Sequence, residues 1–362
     1  MSQSKGAKTA EASPDSLSEE NWYPANLQDI QKVIGDLTKS ANQERLVAVF
    51  DFDNTCIYRD IGQAVFRYQL YALRYRITPD QFAALLPTGN ETLDSRPMER
   101  VVATLVELYS QLWPFIEQQQ REKAFRQDAY PQFTTLLLWF TEKARKHAKF
   151  GPRYVLPLLA QLLAGFSTTE LTSLTVEVIA SVKKEPLQTA TVQAVLPAPI
   201  EAVTTSYEKG LQPFSEMRKL IDWLTSMGVE CNIVSASTDW LVKASAKELG
   251  FTVLPENVYG IRVALEENEV LTDQEQPGYP VTFREGKVEV IQRLIQAKPI
   301  MVAGDADTDY EMLTLPDIPV RLIINRLQTG IISSLYEDTR FLLQGIDMST
   351  GRFRPSSSTI AS

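Results

Sequence analysis

A chain of 362 residues with 44% hydrophobic content can bury one large core and a smaller second one, so two domains are expected. Its formal net charge of -9 argues against a general nucleic-acid binder, because such proteins concentrate positive charge for phosphate contacts. A single histidine, His147, leaves little room for zinc chemistry or a Ser-His-Asp device, and the two cysteines, Cys56 and Cys231, read as small buried hydrophobes in a reducing compartment.

Residues 1–20 carry Ser, Lys, Ala and Glu with no apolar run. They are expected to be disordered and to hold neither a secretory signal nor a membrane anchor, which implies a cytoplasmic protein. The first strong element is Leu46-Val-Ala-Val-Phe-Asp51-Phe-Asp53-Asn-Thr55, a β-prone run that stops at two carboxylates two residues apart. It predicts a buried parallel strand, and the end of such a strand is where an α/β enzyme keeps its chemistry. Asp-x-Asp taken alone suits a plain turn equally well.

Residues 62–205 show helical periodicity and almost no strand signal, as in Phe66, Leu70, Leu73 and then Val101, Leu105, Leu108, Leu112. The apolar Tyr154 to Phe166 is too short for a bilayer and predicts a buried helix. This insertion is locally basic, with Arg121, Lys123, Arg126, Lys143, Arg145, Lys146, Lys149 and Arg153. Such a run is either a solvated helix face or an attractor for a phosphorylated substrate. Its aromatics Trp113, Trp139, Phe140, Tyr154 and Phe166 would pack a core, or cage a quaternary ammonium by cation–π attraction. The chain returns through Leu196-Pro-Ala-Pro199 and a linker from Tyr207 to Pro213.

A helix is predicted from Phe214 to Met227, stopped by Gly228, and then a second apolar strand, Cys231-Asn-Ile-Val-Ser235-Ala-Ser237, ending in a hydroxyl. A hairpin-like segment runs from Gly260 to Thr272. Arg284-Glu-Gly286-Lys287 opens the periodic Val288, Ile291, Leu294, Ile295 and so places Lys287 at a helix N-terminus. Ile300-Met-Val-Ala-Gly304-Asp305-Ala-Asp307-Thr-Asp309 is a third strand with carboxylates at and beyond its end. The spacing of Asp305, Asp307 and Asp309 imitates a calcium loop, but Tyr310 stands where that loop needs Gly and Pro316 where it needs Glu. Gly286-Lys287 lacks the first glycine of a phosphate-binding P-loop, since Val281 holds that place. Asn325-Arg326 follows the apolar Val320 to Ile324 at one more strand end, within reach of the rim of such a site, and residues 349–362 read as a disordered tail.

In this order the pieces resemble phosphatases of the haloacid dehalogenase superfamily, whose motifs are Asp-x-Asp-x-Thr, a strand-end Ser or Thr, a Lys, and Gly-Asp-x-x-x-Asp. Ile-Val-Ser-Ala-Ser and Gly-Lys-Val point within it to the phosphoserine and phosphorylcholine phosphatase branch with a C1 cap. The resemblance implies an α/β fold: a Rossmann-like parallel-sheet core from residues 21–61 and 206–348, and an inserted helical cap at 62–205. It implies that Asp51 attacks phosphorus, that Asp53 protonates the leaving alcohol, and that Thr55, Ser235 and Lys287 bind phosphate. Mg²⁺ would be held by Asp51, Asp53 (through its backbone carbonyl), Asp305 and Asp309, with Asp309 also able to order Lys287. The expected substrate is a small phosphorylated metabolite, with no nucleic-acid or membrane partner. Two alternatives stay open: a catalytically idle phospho-ligand-binding module, and a carbon-halide hydrolase, which would need neither the metal nor Asp53.

Overall fold

The computed structural model describes residues 21–40 and 44–361. The expected disorder of residues 1–20 therefore falls outside the described residues. A 7-stranded sheet forms the centre, made of β1 (Val47–Phe50), β2 (Glu230–Thr238), β3 (Val258–Ile261), β4 (Pro299–Gly304), β5 (Val320–Asn325), β6 (Leu342–Asp347) and β7 (Arg352–Phe353). Its order is β7-β6-β5-β4-β1-β2-β3, parallel throughout except for β7. All four residues of β1 are fully buried, which is why that strand is apolar without alternation. This is the Rossmann-like α/β core that the sequence implies.

The helices that build the core and the insertion include α1 (Pro24–Ser40), α2 (Ile61–Tyr71), α3 (Met98–Glu117), α4 (Ala129–Lys146), α5 (Gly151–Gln161), α6 (Thr168–Val182), α7 (Ser215–Ser226), α8 (Asp239–Glu248) and the short α9 (Glu285–Val290). Leu105, Leu112, Phe133, Leu137, Phe140 and Leu158 of α3 to α5 share an apolar cluster separate from that of the sheet. By contrast, α6 lies with the core: Leu171, Leu174, Val178 and Ile179 cluster with Leu241, Val242 and Ala246 of α8. Two backbone bonds fasten that corner, Gly165 N–H to Leu271 O at 2.8 Å and Leu271 N–H to Phe166 O at 2.9 Å. The insertion is thus anchored to the core at its far end as well as through its two connections. No helix among the described residues is long and apolar enough to cross a membrane.

Two features depart from the sequence reading. The stretch read as helical insertion followed by a Pro-rich linker forms an antiparallel hairpin, Thr189–Val195 with Ala202–Glu208, and Pro197 and Pro199 lie in its connection. Only Ala194, Val203 and Thr205 of its two strands are buried, so their alternation carries little hydrophobic weight and escapes a periodicity search. The segment from 349 onward, expected as a disordered tail, is fixed across its described part. Phe353 sits edge-on to Trp22 at 5.0 Å and 4.8 Å from Phe214, and the Ile360 N–H reaches Ile346 O at 2.9 Å. One aromatic anchor outweighs a serine-rich composition.

Candidate active site

Asp51 leaves β1 still bonded to its neighbour, its N–H donating to Ala303 O at 2.9 Å, so its side chain arrives beside Asp305 at the end of β4. The chain then turns tightly: the amides of Thr55, Cys56 and Ile57 all reach Phe52 O, at 3.3, 2.8 and 3.1 Å. That turn sets the Thr55 hydroxyl between two carboxylates, 3.1 Å from Asp51 Oδ2 and 3.3 Å from Asp305 Oδ1. From α9, Lys287 Nζ reaches Asp51 Oδ1 at 2.5 Å and Asp309 Oδ1 at 2.6 Å, and Lys287 itself is fully buried.

Asp309 folds back over the end of β4. Its Oδ2 accepts from the N–H groups of Asp305, at 2.9 Å, and Ala306, at 3.1 Å. The fold-back requires Gly304, where a Cβ would lie 2.6 Å from Asp309 Cβ. The Gly-Asp pair at this strand end is therefore a packing demand as well as a motif.

Asp51, Asp305 and Asp309 bring carboxylate oxygens within 4.8 Å of one another, a hard-oxygen cluster of the kind Mg²⁺ requires. Burial pushes the Asp51 carboxyl well up, with the Asp309 charge adding to it and Lys287 opposing. Burial also pushes Asp305 up to about 6 against the neighbouring Arg326 guanidinium, whose Nη1 lies 2.6 Å from Asp305 Oδ2. Burial works against charge on Lys287, but Asp309 and Asp51 outweigh it and hold the ammonium protonated. A bound divalent cation would relieve the crowding of negative charge, so the donor set fits the metal. Asp309 is fixed by two backbone amides and Lys287, whereas Asp51 and Asp305 share the Thr55 hydroxyl and line the cavity, so these two are the carboxylates that face it.

The Asp53 side chain does not join that cluster. It turns toward β2, where Ser237 Oγ donates to Oδ2 at 2.6 Å, Ser235 Oγ lies 3.3 Å from the same oxygen, and the Ile61 N–H donates to Oδ1 at 2.7 Å. Burial, with the Asp60 charge adding, pushes Asp53 up to about 8 despite these donors. Two carboxylates two residues apart, both pushed up by burial, thus meet different partners: Lys287 and Thr55 for Asp51, and Ser235, Ser237 and the Ile61 amide for Asp53.

A cavity of about 280 Å³ opens over this arrangement, lined by Asp51, Asp53, Asp305, Ser237, Thr308 and Arg326 from the core, with Arg145, Pro152, Leu156 and Leu159 from the insertion. Ser235, Lys287 and Thr55 lie fully buried behind it. Ser235 bonds to Asp53 and accepts from the Ser237 N–H at 3.0 Å, so Ser237 is the serine that faces the cavity. Sequence reasoning passed over Ser237, although its spacing of two from Ser235 puts both on one side of a strand. Arg326 was legible as a strand-end residue within reach of the site rim, and it lines the cavity. Trp113, Trp139, Phe140, Tyr154 and Phe166 do not line the cavity; they pack within the apolar clusters, so an aromatic cage from them is not formed.

The profile of the haloacid dehalogenase-like hydrolase family matches residues 132–314, just over half of the chain. The chain belongs to the haloacid dehalogenase-like hydrolases. The matched span holds Ser235, Lys287, Asp305 and Asp309, while Asp51 and Asp53 precede it and enter the site through the fold. Among solved structures, a conserved functionally unknown protein from Anaerococcus prevotii DSM 20548 is 25% identical at a TM-score of 0.84, covering 96% of this chain and 98% of that one. Core and insertion of this hydrolase therefore share one fold with it. A protein of unknown function from Bordetella pertussis Tohama I follows at 14% identity and a TM-score of 0.43, covering 83% of this chain and 98% of that one. A phosphoserine phosphohydrolase-like protein from Francisella tularensis subsp. tularensis SCHU S4 is 10% identical at 0.36, over 77% of this chain and 86% of that one. No curated protein matches the chain.

Proposed function

We propose that this hydrolase is a Mg²⁺-dependent phosphomonoesterase working through an aspartyl-phosphate on a small phosphorylated metabolite. The observation that carries the reading is the division between Asp51 and Asp53. Asp51 is aimed at the cavity by the Lys287 ammonium and the Thr55 hydroxyl, where that cation and a bound metal would oppose the burial that pushes its carboxyl up, while Asp53 is held by Ser237 and the Ile61 amide where burial lets it carry a proton at neutral pH.

In this mechanism Asp51 attacks phosphorus and Asp53 protonates the departing alcohol oxygen, then takes a proton from the water that hydrolyses the intermediate. Lys287 neutralises charge on Asp51, and Ser235 and Ser237 hold Asp53 in place. Asp51, Asp305 and the Asp53 backbone carbonyl would hold Mg²⁺, which when bound supplies charge neutralisation for an anionic substrate meeting anionic carboxylates. Asp309 acts by orienting Lys287 and the loop after β4. The insertion at 62–205 serves as a lid that shields a water-sensitive intermediate and limits the substrate to metabolite size.

A phosphoserine-like substrate suits the cavity better than a phosphorylcholine-like one, because its lining offers arginines and no ring from the insertion. Two buried free cysteines accord with the reducing cytoplasm as its place. Turnover of an aryl phosphate in Mg²⁺, lost in Asp51→Asn with unchanged circular dichroism, tests the reading; activity surviving in that variant would remove it.

A further inference from the structure

The space over the carboxylates continues beyond them. A second cavity of about 280 Å³ lies between α2, α4 and the Ala202–Glu208 strand, and Asn54, Asp60, Gln63, Arg145 and Arg326 line both cavities. Most charges around it are already matched. Arg59 pairs with Glu208, and Arg67 Nη1 donates to Glu208 O at 2.6 Å while its guanidinium lies over the Tyr207 ring. Glu142 pairs with Lys146 at 2.7 Å, Arg326 pairs with Asp305, and Asp60 Oδ1 caps α2 by accepting from the Gln63 N–H at 2.8 Å.

Arg145 differs from all of these. Its guanidinium makes no hydrogen bond or ion pair among the described residues, although it lines both cavities. Two amide groups beside it are also unspent. Asn54 is only 7% exposed; its Oδ1 accepts from the Arg59 N–H at 3.0 Å, while its Nδ2 has no partner among the described residues. The Gln63 side chain likewise has none. One cation and two neutral amides with free donors thus converge where the two cavities join.

We propose that Arg145, with Asn54 and Gln63, receives a second anionic group on the leaving-group side of the substrate, either a carboxylate or a second phosphate. This rests on the phosphomonoesterase reading, which fixes the end of the substrate that meets Asp51. A guanidinium offers paired N–H donors that match a carboxylate or phosphate, and the amides complete the contacts without adding charge. Arg145 is then the residue that separates doubly anionic esters from simple alkyl phosphates.

The test uses non-hydrolysable phosphonates in Mg²⁺ buffer, with binding followed by calorimetry. 3-Phosphonopropionate and propane-1,3-diylbisphosphonate carry a second anion, propylphosphonate carries none, and comparing the first two separates carboxylate from phosphate. The full chain is expected to prefer at least one doubly anionic probe, and Arg145→Ala to cut that preference by about tenfold or more, with Arg145→Lys recovering part of it. Arg145→Gln, which keeps an extended polar side chain without the charge or the paired guanidinium donors, serves if the alanine variant does not fold. No preference in the unaltered chain, an unchanged preference in the alanine or glutamine variant, or no binding of any probe would overturn the proposal. Arg145-dependent preference together with no turnover of any phosphomonoester would defeat the phosphatase reading alone.

Discussion

Ser237 Oγ donates to Asp53 Oδ2 at 2.6 Å, and it has room to do so because position 62 is glycine: a Cβ there would stand 2.5 Å from the same hydroxyl. The start of α2 and the end of β2 close on Asp53 together, and this pulls its carboxyl away from Asp51 and its metal-competent neighbours. The separation of the proposed nucleophile from the proposed proton donor is thus made by packing as much as by sequence spacing.

Asp53→Asn is expected to slow alkyl phosphates by about 10²–10⁴-fold and to slow activated aryl phosphates much less, because only a poor leaving group needs a proton on its departing oxygen. Steady-state rates over a series of leaving groups check this. Equal losses across the series would mean that Asp53 positions the loop or the metal instead of acting as an acid.

Lys287→Ala leaves Asp51 and Asp309 buried without their shared cation. Breaking such a buried set by removing one partner costs about 3–5 kcal/mol, so a denaturant midpoint should fall clearly and turnover should drop with it. A variant of unchanged stability would show that solvent or another cation already compensates the two carboxylates.

The strands, and the polar groups at or just past their ends, were legible because a buried parallel strand is a run of apolar residues, and Asp51 after β1, Ser235 near the end of β2 and Asp305 after β4 interrupt those runs where burial alone would not place a polar residue. Lys287 was legible as a lysine opening a helix. Ser237 was readable in principle from its spacing of two from Ser235, yet two serines on one strand face carry no chemical mark until Asp53 is seen opposite. The weakly amphipathic Thr189–Val195 strand and the Phe353 anchor were not legible, because each depends on a distant surface, α4 in one case and Trp22 in the other. The position of Arg326 was legible but its pairing was not, because its partner Asp305 lies 21 residues away at the end of the neighbouring strand.

Chelation should silence turnover and added Mg²⁺ should restore it, and Asp305→Ala should shift the Mg²⁺ requirement upward or abolish activity. Metal titrations of rate for both proteins read this out. Full activity after exhaustive chelation would reopen the carbon-halide alternative, whose chemistry needs no metal.

Gly304→Ala places a methyl group against the Asp309 side chain and should expel it from the amides of Asp305 and Ala306. The expected result is a folded protein with strongly reduced turnover, since Lys287 loses one of its two anchors. Ordinary activity in this variant would show that the fold-back of Asp309 is dispensable.

The central claim is that Asp51 becomes phosphorylated during turnover. Rapid acid quenching of the Mg²⁺-loaded enzyme under substrate, followed by proteolysis and mass spectrometry, should find a phosphoryl adduct on the peptide containing Asp51 and none in Asp51→Asn. Steady turnover with no adduct at any quench time, together with an active Asp51→Asn variant, would contradict it.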